Sequence, residues 1–546
     1  FSVTTDLWLN LKRTLFATWR EYRGFGVASD SEVVDLFRQL PLFFLQAFVP
    51  DYLLEWIYYF SMYWLGTLGA YALTKSLLTQ LTPSTTTKNW YWSLVGLSGA
   101  IFYATNLYSL EVFYSPIIMY VARFGFLPWL VLLSWQWLHS PQPKKLAQLG
   151  VISLLAAPAF LTATVFFVWL IILAVTTLWY GQFKQKLALF SIVLILNAFW
   201  LLPFGWYTIT KAALIPKSGT FVAINELLLN APFERFELTK LLTFTGDFGS
   251  GIHFTDPSKT PVPQHPWFAQ TPLAALPAWQ YFTASIVVSL GALAVLLLSR
   301  KRRSPLGWWL LFLFVGSAWL LTKEYSPLGI AFNLLSKTIP FLQVVLRFGG
   351  TKLNPPILLV GTILSGAAML LLLSVVANWR SKPLQWIAAP VFTIALCGLI
   401  GWMGIAPLSG HLVSRILRVK LPAAYSELAQ NINQDPTYGR VLHLPVGLYS
   451  YWRSYSWGYY GSSFLSFMVE KPLLEKTFSP GNLEHDYFDQ AFTTLTVNNT
   501  SITPQSLQQR AQQLGTLLSK SGVHYLVLDS SIQPEITTKQ LVSWEV

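Results

Sequence analysis

Charge is scarce in this chain. Of 546 residues only 11% are Asp, Glu, Lys or Arg, whereas soluble domains carry roughly 25%. A water-facing surface along the whole length is therefore excluded. Cysteine is scarcer still: the single Cys397 lies inside an apolar run, which rules out an internal disulfide and a cysteine-based metal cluster. No internal repeat or low-complexity tract stands out, and the composition excludes a disordered chain and a coiled coil. What is abundant is apolar surface, with 53% hydrophobic residues, 16% aromatics and a mean hydropathy of +0.47. The composition is that of a polytopic α-helical membrane protein. A net charge of +13 would suggest nucleic acid in a soluble protein, but here the placement of the charges sets topology. The chain starts at Phe1 without a signal peptide and stops at Val546, so it is expected to be a piece cut at both ends.

A bilayer core takes about 20 apolar residues per helix. Ten runs qualify or nearly qualify: 52–78, 90–107, 116–138, 147–161, 163–180, 187–208, 279–298, 306–321, 356–379 and 384–406. The fourth and fifth share one stretch around Pro158 and Thr162. They read either as two short helices or as one kinked span with a re-entrant piece. Alternate linkers carry Lys88; Lys144 and Lys145; Lys184 and Lys186; Arg300, Lys301, Arg302 and Arg303; and Arg380 with Lys382, without one Asp or Glu. By the positive-inside rule these linkers are cytoplasmic. The expectation is a cell-membrane protein of about ten visible spans over 52–406, with a further helix before Phe1. Four pieces then face outward: a first loop with interfacial helices over 1–51, outer loops 211–278 and 323–355, and an extracytoplasmic region 407–546. The last alternates strand-like runs (440–444, 523–529) with helical ones (422–432, 504–521) and reads as an α+β domain.

Ionisable residues inside spans mark function by default, and Glu55 and Arg123 are the two that stand out. Each could equally snorkel to the interface. In the first loop Asp6 precedes a helical pattern over 9–19, with Gly24 and Gly26 suited to a tight turn. Asp6 is either a helix cap or a reactive carboxylate. The run 40–49 is too short to span and is expected in the interface. Glu226 sits in an otherwise apolar stretch, where burial would raise its pKa and suit it to proton transfer, unless it lies on the wet face of a short helix. His253, Asp256 and His265 form a loose candidate metal set whose spacing matches no known ligand pattern. Arg347 and Lys352 flank Gly349 and Gly350 before a span. Two cations and a bare glycine backbone can grip a phosphate, or simply anchor the chain to headgroups.

Three separated pieces resemble the actinobacterial α-(1→3)-arabinofuranosyltransferase family of the GT-C superfamily. They are DLWLN…LF…W…FG (6–26), RFGGTKLNPP (347–356), and RVLHLPVGLYSYWRSYSWGYYGSSF (440–464) with the later SPGNL (479–483). GVHYLVLD (522–529) is similar to the related YfhO-like group. The chain departs from the pattern at Asn354, where the family has Asp before Pro, and at Ser2, which leaves Asp6 as the matching first-loop acid. The resemblance implies a multi-span enzyme that moves a sugar, arabinofuranose in that family, from a polyprenyl-phosphate donor to an acceptor glycan of the cell envelope. Asp6 or Glu226 would be the base, and Arg347, Lys352, Gly349 and Gly350 would hold the donor phosphate. Arg123, Glu55, Trp19 and Trp457 are candidate substrate contacts, and Trp267 a further stacking surface. No cofactor beyond the polyprenyl-phosphate sugar is implied, and a divalent cation is left open. The partners are membrane lipid, that donor and the acceptor glycan, with no nucleic acid. Two other readings stand beside it: a transporter or flippase for a lipid-linked sugar, and a non-catalytic membrane scaffold that binds glycan.

Overall fold

The computed structural model describes residues 5–16, 18–28, 31–81, 89–114, 116–211, 277–302, 304–322, 329–338, 349–379, 381–404, 412–413, 419–446, 452–462, 464–475, 483–496 and 504–533. Wherever an apolar run is described it is helical, because a backbone surrounded by lipid-like side chains must satisfy its own N–H and C=O groups. A helix α1 (Leu7–Leu15), a short hairpin β1–β2 (Trp19–Arg20 and Val27–Ala28) and an amphipathic α2 (Leu36–Leu45) lead into α3 (Asp51–Leu78). Then come α4 (Asn89–Thr105), α5 (Leu107–Tyr114), α6 (Ile118–His139), α7 (Pro143–Leu155), α8 (Ala163–Trp179), α9 (Phe183–Leu196) and α10 (Ala198–Lys211). Beyond these lie α11 (Pro277–Arg302), α12 (Leu306–Thr322), α13 (Gly329–Thr338), α14 (Gly349–Ala377) and α15 (Lys382–Gly401).

The bundle is organised around α14, in which every residue from Gly349 to Leu370 is buried. It packs against α11, α4, α12 and α3, while α3 also packs against α6 and α4. Small residues allow these helices to approach closely. Gly291 of α11 faces the Leu364 carbonyl of α14 so tightly that a Cβ there would strike it. Ser98 of α4 and Ser365 of α14 pair through their hydroxyls at 2.9 Å.

By length and composition, four described helices can cross a bilayer: α6, Thr283–Arg300 within α11, α14, and Pro383–Gly401 within α15. The run 187–208, expected as one span, is broken instead. Its halves α9 and α10 meet at 76°, and the break falls at Asn197. The Asn197 amide donates to the Val193 carbonyl at 2.8 Å and to Ser153 Oγ at 2.9 Å, while its Oδ1 accepts the Trp200 indole N–H at 2.9 Å. The shared stretch before α8 resolves into two short helices, with α7 ending at Leu155 and a single 3-10 turn, Ala157–Phe160, leading to α8. Gly349–Gly350, expected as flexible loop backbone, is helical and buried within α14.

The polar region contains α16 (Ala423–Gln434), β3 (Arg440–Leu444), the hairpin β4–β5 (Trp452–Ser454 and Tyr460–Ser462), β6 (Leu473–Leu474), α17 (Leu483–Thr496), α18 (Pro504–Lys520) and β7 (Val523–Leu528). Strands β6, β3 and β7 form a parallel sheet in that order. The N-terminal segment is built into this region. Arg23 pairs in parallel with Leu473, through Gly24 N to the Leu473 carbonyl at 2.9 Å and Leu473 N to the Tyr22 carbonyl at 3.1 Å. Gly24 and Gly26 take positive φ of 59° and 91° at this turn, where glycine avoids the Cβ penalty. Arg13 of α1 clamps the Ser466 and Val469 carbonyls at 2.6 and 2.8 Å.

Candidate functional site: a cationic pocket among apolar helices

Arg123 lies in the N-terminal half of α6 and is 7% exposed. Its guanidinium donates to the Tyr108 hydroxyl of α5 at 2.7 Å and to the Thr351 carbonyl of α14, and it lies 5.1 Å from the Tyr120 ring. Lys352, the residue after Thr351, is 4% exposed. Arg123 and Lys352 line one pocket. The remaining wall is apolar. Phe126, Leu127 and Leu130 come from α6, and Ala159 and Phe160 come from the 3-10 turn. Val165, Val168, Trp169 and Ile172 share one face of α8 by their spacing, and Pro355 and Pro356 belong to α14. Among the described residues no Asp or Glu lines it. An anion entering this space would meet two cationic side chains against an apolar wall.

A second charged group joins α2 to α3. Arg38 of α2, 1% exposed, makes a bidentate contact with Asp35 at 2.8 and 2.7 Å and reaches Glu55 of α3 at 2.8 Å. Gln39 adds a bond to the same Asp35 carboxylate at 2.8 Å. Just upstream, Ser31 Oγ donates to the Leu161 carbonyl at 2.7 Å, tying the first segment to the turn that forms part of the pocket wall.

A third group lies in the polar region, at the carboxyl ends of the parallel strands. His443, fully buried, stands 3.3 Å from Glu475 on one side of its ring and 3.3 Å from Asp529 on the other. Arg453 Nη1 approaches the same Nδ1 at 3.1 Å. Burial would push the His443 pKa down, but the contacts with Asp529 and Glu475 outweigh it and raise it above the ordinary 6.5. For Asp529, burial pushes upward and is outweighed by bonds from His443, Tyr425 and Ser531, which hold the carboxyl well below its usual range.

The residues singled out from sequence are thus distributed over several places. Arg123 and Lys352 come together, and Gly349 and Gly350 precede Lys352 on the same helix without lining the pocket. Glu55 is engaged by Arg38. Asp6 caps α1, its Oδ1 accepting the Leu9 N–H at 2.9 Å, and does not line the pocket. Trp19 is 58% exposed on β1, and Trp457 stacks on Tyr459 in the polar region with centroids 5.5 Å apart. Glu226, Arg347, His253, Asp256, His265 and Trp267 lie outside the described residues. Among the described residues no group of three or more His, Cys, Asp and Glu side chains could hold a metal. Sequence reasoning missed Asp35, Arg38, Tyr108, Trp169 and the His443 group. Only the Asp35–Arg38 pair left a local trace, as opposite charges three residues apart in an amphipathic stretch.

No family model and no curated protein matches the chain. Solved structures do. Arabinofuranosyltransferase AftD from mycobacteria superposes with a TM-score of 0.55 at 16% identity, covering 97% of this chain and 33% of that one. A mutant form of AftD superposes with a TM-score of 0.54 at 16% identity, over 97% of this chain and 35% of that one. The chain therefore shares the AftD fold over nearly its whole extent and spans about a third of the length of those proteins.

Proposed function

We propose that the chain acts as a GT-C-type membrane glycosyltransferase. In this reading it moves a sugar, with arabinofuranose the first candidate, from a polyprenyl-phosphate donor to a cell-envelope glycan outside the membrane. The observation that carries the reading is the pairing of Arg123 and Lys352 on an otherwise apolar pocket. That combination suits an amphiphile with a phosphate head, and the shared fold with an arabinofuranosyltransferase supports it.

In this reaction the acceptor oxygen attacks the anomeric carbon and its proton passes to a carboxylate. The bond from the anomeric carbon to the phosphate oxygen breaks, and the phosphate leaves with the bonding electrons. Arg123 and Lys352 stabilise that growing negative charge. Asp6 or Glu226 supplies the base. The charge pattern of the linkers assigns residues 1–51, 211–278, 323–355 and 407–546 to the outer side, where a lipid-borne donor would meet a water-borne acceptor.

The test offers purified full-length chain a panel of polyprenyl-phosphate sugars with an acceptor oligosaccharide. Transfer of one sugar is expected, with Asp6→Asn or Glu226→Gln abolishing it at unchanged unfolding temperature. Full activity in both variants rejects these bases. Donor binding without any product, with movement of the lipid across a vesicle, would replace the enzyme with a flippase.

A further inference from the structure

We infer that the indole N–H of Trp169 is a ligand donor: it hydrogen-bonds an anionic oxygen of an amphiphile whose head lies beside Arg123 and Lys352. The inference rests on the pocket being the donor-phosphate site proposed above, and it adds a third recognition group from a third helix.

Trp169 is 2% exposed and lines the pocket, yet its indole N–H has no hydrogen-bond partner. Buried tryptophans ordinarily satisfy this group. The neighbouring ones do: Trp200 donates to Asn197 at 2.9 Å and Trp309 to Thr176 at 3.1 Å. Around Trp169 the pocket face of α8 offers Val165, Val168 and Ile172, none of which has a side-chain acceptor. A phenylalanine would fill the same apolar wall without stranding a donor. The ligand that fits must bring the acceptor itself. A lipid phosphate, a diester in the donor and a monoester once the sugar has left, keeps at least two non-bridging acceptor oxygens, and no carboxylate among the described residues lines the pocket to repel it.

The experiment measures binding of a long-chain polyprenyl phosphate, the matching polyprenol and inorganic phosphate to the full chain in nanodiscs. Trp169→Phe is expected to weaken the phosphate lipid about tenfold, a hydrogen-bond-sized loss, and to leave the polyprenol unchanged. In protein with ¹⁵N-labelled indoles, the signal missing from Trp169→Phe should shift downfield when the phosphate lipid is added. Equal affinity for the phosphate lipid in wild type and variant overturns the inference, as does an equal loss for lipid and alcohol, which would mark a packing role. Inorganic phosphate competing at the same concentration as the lipid overturns the amphiphile as ligand. If Arg123→Gln and Lys352→Gln both bind the phosphate lipid as wild type does, the pocket reading itself fails, whatever Trp169 does.

Discussion

Arg38 and Arg123 are both buried cations near the ends of helices, and they are held in opposite ways. Arg38 is enclosed by Asp35 and Glu55, so its charge is matched within the protein. Arg123 is steadied by a phenol and a backbone carbonyl, and its pocket contains another cation and no carboxylate lining. A matched cation fastens two elements together. A cation positioned by neutral groups keeps its field available to whatever enters. The contrast separates a structural charge from a recognising one, although the two residues look alike in sequence.

Breaking the matched site should produce the largest effect. Arg38→Ala leaves Asp35 and Glu55 as unbalanced buried carboxylates and should cost about 3–5 kcal/mol, the usual penalty for removing one partner of a buried pair. Thermal unfolding of the purified chain checks it. A fall within 1 kcal/mol would mean that water reaches the cluster (an order-of-magnitude bound) and would erase the contrast.

The recognising site should behave in reverse. Arg123→Gln removes a cation whose hydrogen-bond partners, the Tyr108 hydroxyl and the Thr351 carbonyl, are neutral, so stability should stay within about 1 kcal/mol of wild type. Affinity for a polyprenyl phosphate should fall on the order of 10- to 100-fold, as expected for a lost charge-assisted hydrogen bond. Equilibrium binding alongside unfolding measures both. Large destabilisation with unchanged binding would place Arg123 with Arg38 as a fastener.

These assignments show where the sequence was legible. Long apolar runs announce helices because lipid-like composition leaves the backbone no other partner, so most of the helices from α3 to α15 could be anticipated, whereas α5 and α13 fall outside the ten apolar runs. The break at Asn197 could not, since one polar residue in an apolar run gives no hint that its amide will be occupied by Ser153 and Val193. Arg123 stood out as a charge within a span, and Lys352 as a cation beside two glycines. Their meeting is a tertiary fact, because Arg123 and its Thr351 anchor are 228 positions apart. Trp169 is one of 24 tryptophans, and only the geometry reveals which N–H lacks an acceptor. His443 on β3 draws its partners from two other strand ends and from β4, so no local pattern exists to be read.

That group stands between the two arginine sites, matched in charge only while His443 is protonated. Protonated Nδ1 can donate to Glu475, whereas deprotonated Nδ1 can only accept, as from Arg453. With its folded pKa raised above 6.5, His443 contributes stability that is complete below pH 6.5 and lost as pH rises through the folded value. Asp529, held low, acts oppositely: its contribution is present above the ordinary carboxylate value of 3.8 and disappears as pH falls through its depressed value. Stability should therefore decline above pH 6.5 with a slope approaching about 1.4 kcal/mol per pH unit, until His443 has titrated. His443→Gln should flatten that limb. Thermal unfolding of both chains across pH provides the comparison, and parallel profiles would show that the ring stays neutral throughout.

The smallest effect belongs to a neutral contact, which sets the scale for the charged ones. The Ser98 and Ser365 hydroxyl oxygens lie 2.9 Å apart, and each is also within donating distance of the other's backbone carbonyl, at 3.1 and 3.2 Å. Both residues are fully buried where α4 crosses α14. Hydrogen bonds between membrane helices contribute about 0.6 kcal/mol on average, because unfolded segments find other partners within the bilayer. Ser98→Ala and Ser365→Ala should each lose roughly that much, and the double variant should lose little more than either alone, since removing one hydroxyl already dissolves the pair. Additive losses near 2 kcal/mol each would mean that dry polar contacts in this bundle rival the Arg38 cluster (a comparison with the buried-group penalty). The distinction between matched charge and simple polarity as the source of rigidity would then have to be abandoned.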